Sequence, residues 1–268
     1  MPGKIAASPV ADVMLALKTD RLPKKLASLL RTIAPVSYVV AFGYHGTSRP
    51  LALFDDFPAN KWRVFVGEYQ EGPYLLDPFY LACAKPVAAG LFRIKDLAPD
   101  RFYQGEYFRN YYIQTGLAEE IGYFVTLPGD VTVVLSLMRS ERAFSGREFN
   151  EFQSIYPVVE AAVRLHWADL SHSFSNAPHA PERLRPAGDL SRAFASFGLQ
   201  VLTPREREVV EYTLKGHSAE ATGIIMNIAA GTVRIHRRNI YVKLGISSQG
   251  ELFASFISAL SDLSVMQN

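Results

Sequence analysis

The chain has 268 residues, with 28 Lys and Arg against 26 Asp and Glu and a formal charge of +2, which excludes a polycation: any affinity for a polyanion must come from a local basic face. A hydrophobic content of 49%, with 12% aromatic residues, suffices for two cores and excludes a disordered chain. The single cysteine, Cys83, excludes an intramolecular disulfide and fits a reducing cytoplasm.

Two amphipathic helices are expected at Val10 to Leu17 and Leu22 to Ile33, with Pro23 in the first turn of the second. The periodicity then changes to strands, Ser37 to His45 and Leu51 to Phe54. Trp62, Phe65, Val66 and Tyr69 recur at helical spacing within Ala59 to Tyr69. A short helix at Asp77 to Ala84, a strand at Gly90 to Ile94 and an aromatic helix from Phe102 to Thr115, closed by Gly116, follow. Ile121 to Leu127 and Val131 to Met138 form a hairpin over Pro128-Gly129-Asp130. Ser145 and Glu148 make an S-x-x-E start for one long helix to about Asp169. This order predicts an antiparallel sheet flanked by helices, an α+β domain over residues 1–170. Residues 171–197, rich in Pro and Ser, read as a linker.

Residues 198–268 read as a separate all-α domain of four helices. Thr203, Pro204 and Glu206 give a capped start, Val209, Val210, Tyr212 and Leu214 an apolar side, and Gly216 an end. Ser218 caps the next helix, and a joint at about Asn227 to Gly231 precedes a basic one. On that helix Val233, Ile240 and Leu244 share one stripe, whereas Arg234, Ile235, Arg238 and Val242 lie opposite. Between Thr232 and Lys243 stand Arg234, Arg237, Arg238 and Lys243 without a carboxylate. Cations left off the docking stripe suit a polyanion, because each one that neutralises a phosphate also releases counterions.

The runs LTPREREVVEYTLKGHS and TVRIHRRNIYVKLGI resemble the C-terminal helix-turn-helix domain of LuxR-type transcriptional regulators, with every spacing from Leu202 to Gly245 kept. The resemblance implies a domain that binds double-stranded DNA as a homodimer, its third helix in the major groove and its fourth, at about Ser248 to Leu260, helping to dimerise. It implies Arg234, Ile235 and Arg238 as base-reading residues, Thr232, Arg237 and Lys243 as phosphate contacts, and RNA polymerase as a further partner. The pattern is departed from in two places, at Ala229 and at Ala221-Thr222-Gly223, where E-I-A is usual. Ala229 stands where a capping Ser is usual, and Gly223 either weakens its helix or lets two helices approach closely.

The first domain carries Tyr69, Tyr74, Tyr80, Tyr103, Tyr107, Tyr111, Tyr112 and Tyr123 around Trp62 and the segment Tyr74-Leu-Leu-Asp77-Pro78. Apolar walls with a few placed polar groups make ligand pockets, so Trp62, Tyr69, Tyr74, Asp77 and Tyr111 are candidates for contact with a small-molecule effector. The pattern is similar to the autoinducer-binding domains of quorum-sensing regulators, which implies Asp77 as acceptor of a ligand amide proton and an architecture shared with GAF and PAS domains. Asp77, Glu119 and Glu120 would equally suit a cationic ligand. The alternative is a first domain that only dimerises. A phospho-receiver is disfavoured, because the first forty or so residues hold no acidic pair for Mg²⁺. The six histidines show no metal spacing and Gly216-His217-Ser218 lacks the second glycine of a nucleophile elbow. Neither cofactor, metal nor catalytic residue is expected. Without an apolar run of about eighteen residues or a leader, a cytoplasmic protein with no membrane partner is expected.

Overall fold

A computed structural model describes residues 7–46, 48–71, 73–83, 88–105, 108–109, 116–175, 194 and 196–265. Five antiparallel strands, β1 (Tyr38–His45), β2 (Leu51–Asp55), β3 (Gly90–Arg93), β4 (Glu119–Leu127) and β5 (Val131–Arg139), form one sheet in the order β2-β1-β5-β4-β3. Its centre is the expected hairpin, with Leu127 opposite Val131. Gly129 and Asp130 turn it with positive φ of 76° and 56°, angles that a glycine and an aspartate tolerate.

Alternation along the strands gives the sheet two different faces. Val39, Ala41, Ile121, Tyr123, Val133 and Leu135 face the core that helices α1 (Ala7–Ala16) and α2 (Leu22–Arg31) share with α6 (Gly146–Ser154) and α7 (Tyr156–His166). Val40, Phe42, Tyr44, Phe124 and Val134 face an aromatic layer built from residues 57–83, which include α3 (Ala59–Trp62) and α4 (Pro78–Cys83). Gly122 is required on this face, since a Cβ there would stand 2.8 Å from the Phe79 ring. Beyond β3, α5 (Ile94–Leu97) leads to Asp100.

Three expected helices are revised. The long helix from Ser145 breaks at Ile155, because Pro157 lacks an N–H and crowds the preceding turn; the Ser145–Glu148 capping box itself is formed. Ala59 to Tyr69 is helical only as a mixture, one α turn and then π turns over Arg63–Glu68. The aromatic helix does not start as expected: Phe102–Gln104 is a single 3₁₀ turn ended by an extended Gly105 (ψ 158°), and most of the rest lies outside the described residues. The stretch expected to link the domains starts with a helix, α8 (Leu170–Ser175), whose Phe174 packs on His45.

The C-terminal domain has four helices, α9 (Pro204–Leu214), α10 (Ala219–Met226), α11 (Ala230–Leu244) and α12 (Gln249–Val265). Val209, Val210, Leu214, Val233, Ile240, Leu252 and Phe256 are buried together. Phe194 stacks on Phe256 at 4.6 Å and Phe197 meets the same ring edge-on.

Candidate DNA-reading face and sensor site

The T-x-x-E box starts α9: Thr203 and Glu206 each accept a backbone N–H from the other. Asn227, left-handed at φ 53°, turns the chain out of α10. Gly223 makes that turn fit, because a Cβ there would lie 2.7 Å from the Ile228 carbonyl oxygen. Helix α11 then begins at Ala229 with no side-chain cap. Its Val233 and Ile240 dock inward, leaving Thr232, Arg234, Ile235 and Arg238 exposed on the outer face.

Ile235 keeps 52% of its surface accessible, and Arg234 pairs with the exposed Glu220 on α10. A helix side that offers guanidinium forks and an aliphatic tip, without packing against its own domain, has the chemistry to read base edges.

Arg237 and Lys243, expected as phosphate contacts, also make hydrogen bonds within the domain. The Arg237 guanidinium reaches back across the turn between α9 and α10, Nε donating to Thr213 Oγ1 at 3.0 Å and a terminal nitrogen to the His217 carbonyl at 2.8 Å. Lys243 Nζ donates to Glu206 Oε2 at 2.7 Å. Burial alone would raise the Glu206 carboxyl, but Lys243 and the Thr203 cap hold it below its ordinary value. Both cations are therefore braces that fix α11 on α9. Their sequence positions fit a charged outer face equally well, so only the fold separates them from Arg234 and Arg238.

A relative from Aeromonas salmonicida, described as an HTH-type transcriptional regulator in exeN 3'region, is 30% identical over 186 residues, 69% of this chain and 94% of the relative. Residues 200–256 match the family described as bacterial regulatory proteins, luxR family. The chain belongs to the LuxR family. It is a LuxR-type transcriptional regulator, and its N-terminal fold has a solved counterpart. A crystal structure titled VqsR LBD domain, from Pseudomonas aeruginosa, is 28% identical with a TM-score of 0.53, covering 61% of this chain and 97% of that one. A monoamine regulon transcriptional regulator of Klebsiella aerogenes is 23% identical over 240 residues, 88% of this chain and 92% of its own.

In this LuxR-type protein, the aromatic side of the sheet carries a line of polar groups. Tyr69 donates its hydroxyl to Asp77 Oδ2 at 2.6 Å, and the Tyr44 and Tyr69 hydroxyls are 3.0 Å apart. Asp77 Oδ1 accepts the Phe79 N–H at 2.8 Å, so the Asp-Pro pair also caps α4. Tyr74 packs edge-on against Tyr80 with centroids at 5.0 Å. Burial pushes Asp77 up from 3.8 to about 6, against the lowering effect of the bonds from Tyr69 and Phe79. Burial, and then the charge of Asp77, push the Cys83 thiol up, which makes it a poor nucleophile.

Tyr69, Tyr74 and Asp77 are thus brought together as expected, and Trp62 is not: 48% of it is exposed on the outer side of the aromatic layer. Its helical spacing assumed a regular turn of 3.6 residues, and the π turns that follow Trp62 rotate it away. Tyr111 lies outside the described residues. Glu119 faces the opposite side of the sheet, paired with Arg93 at 2.6 Å and with the Phe144 N–H at 2.6 Å. Glu120, buried on β4, shares the side of Tyr44, whose hydroxyl feels its charge. Tyr44 escaped sequence reasoning. The signal was available in strand alternation, since Tyr44 has the parity of Val40 and Phe42. Among the described residues there is no cluster of three or more His, Cys, Asp or Glu able to hold a metal ion, and no helix is long and apolar enough to cross a membrane.

Proposed function

We propose that the protein is an effector-responsive, sequence-specific DNA-binding regulator that acts as a dimer. Thr232, Arg234, Ile235 and Arg238 meet the duplex, the last three in the major groove, and a small molecule occupies the aromatic side of the N-terminal domain against Asp77, Tyr69 and Tyr74. The observation that carries the sensing half is the Asp77 carboxylate. It is packed among rings, its pKa is raised to about 6 by burial, and it has no cationic partner among the described residues. A carboxylate kept in such surroundings is poorly solvated when ionised, and a ligand bringing an N–H donor or a cation would supply the missing charge compensation. That favours sensing over a domain that serves dimerisation alone. A ligand that binds one domain arrangement better shifts the population toward it. The domains are proposed as 1–170 and 198–268, and the site of action as the cytoplasm, with RNA polymerase as a partner.

Thermal-shift measurements of the full chain against acyl lactones, amines and aromatics test this, with Asp77→Asn alongside. A class that raises Tm in the wild type and not in the variant is expected. No shift with any class rejects the sensing role.

A further inference from the structure

We propose that the N-terminal domain lines part of the DNA track, with Arg101 and Arg109 gripping the sugar–phosphate backbone of the duplex whose groove is read from α11. The inference rests on the DNA-reading role proposed above. Between the two domains lies a cleft of about 410 Å³ lined by Arg101, Gln104 and Arg109 on one side and His217, Arg237 and Gln249 on the other. No carboxylate lines it among the described residues. Arg237 also borders the depression that carries Arg234 and Arg238, so the cleft adjoins the reading face.

Two hydrogen bonds join the two sides. The Arg101 N–H donates to the Gly216 carbonyl at 3.0 Å, and the Ser218 N–H donates to Asp100 Oδ1 at 3.0 Å. Glycine at 216 allows this approach, because a Cβ there would come within 3.1 Å of the Phe102 Cα.

Of the nearby acids, Asp100 accepts the Ser218 N–H, and Glu220 pairs with Arg234 while also feeling the charge of Arg101. Arg101 lies close enough to Arg237 for their like charges to disfavour each other, which adds to the effect of burial on Arg237. An anion between them would relieve that repulsion. Duplex DNA supplies it, because a helix seated in a major groove about 12 Å wide has phosphate backbones along both flanks. Cations contiguous with the reading helix then meet backbone.

The test measures binding of full-length protein to a random-sequence duplex across a salt series. Each lost phosphate contact lowers the slope of log K against log salt by about 0.9. Arg101→Ala and Arg109→Ala are each expected to lose about that much, the double variant about twice as much, and Arg101→Lys and Arg109→Lys to keep the wild-type slope. A double variant with wild-type slope and wild-type Tm overturns the inference while leaving the reading helix in place. The same result, accompanied by a rise in wild-type Tm with inorganic phosphate that the double variant lacks, overturns it in favour of a free-anion site. A wild-type protein that binds no duplex overturns both this inference and the DNA-reading role.

Discussion

The Tyr69 hydroxyl sits 2.6 Å from Asp77 Oδ2 and 3.0 Å from the Tyr44 hydroxyl, so one phenol joins the sheet to the start of α4. Folding raises the Asp77 pKa from 3.8 to about 6. Between those values the folded state keeps a proton that the unfolded chain gives up, so stability from this group falls as pH rises from about 4 to about 6. Asp77→Asn is expected to remove that component of the slope. Denaturant midpoints at pH 4, 5, 6 and 7.5 would show it, and identical pH slopes in the two proteins would reject it.

Gly223→Ala sets two effects against each other. Alanine gains about 1 kcal/mol of helix propensity, but its Cβ would stand 2.7 Å from the Ile228 oxygen, and overpacking of this kind costs about 1–3 kcal/mol. Because the obstructing atom is backbone, the steric cost should win and the C-terminal domain should lose stability. A variant at least as stable as wild type in urea would show that the turn yields.

Arg238→Ala is expected to weaken specific binding by about 1–3 kcal/mol and to relax the sequence preference. Footprinting on a selected site and on random duplex decides the matter. Equal losses on both would make Arg238 a backbone contact.

Lys243→Ala is expected to act through the fold. It leaves Glu206, whose side chain is 5% exposed, without the cation now bound to it, and the loss, tempered by the solvent access of Lys243, should be on the order of 1–2 kcal/mol of stability. The salt slope of DNA binding should stay at its wild-type value. A reduced slope with unchanged stability would restore the phosphate contact that the family resemblance implied.

Gly216→Val should open the contact between the domains, since Gly216 has φ 91° and its Cβ position faces the Phe102 backbone at 3.1 Å. Hydrogen exchange should rise at 101–102 and 215–218 together. Protection unchanged at both segments would mean that the close approach does not hold the domains together.

Much of the C-terminal domain could be read in the sequence because its determinants are local. Caps at Thr203 and Ser218, the stripe of Val233 and Ile240, and the end at Gly245 each act within a few residues. The strands were legible for the same reason, as alternation and a Pro-Gly-Asp turn. What stayed hidden depends on partners distant in sequence. Arg237 and Arg238 are neighbours in the chain, yet one bridges to Thr213 and His217 whereas the other faces outward. Trp62 was misplaced because π turns do not announce themselves in an apolar pattern. Tyr44 was missed because its role depends on Tyr69, which a turn and a second strand separate from it.

The two ends of the connecting stretch are each pinned by a phenylalanine, Phe174 beside His45 and Phe194 on Phe256. A fully drawn-out chain between those anchors has a contour of roughly 70 Å, about twice the 34 Å that separates half-sites one helical turn apart. Chain length alone therefore does not fix where the reading helix stands. The seam at Gly216, with one main-chain bond from Arg101 and one from Ser218 to the Asp100 carboxylate, is a place where the two halves are tied directly.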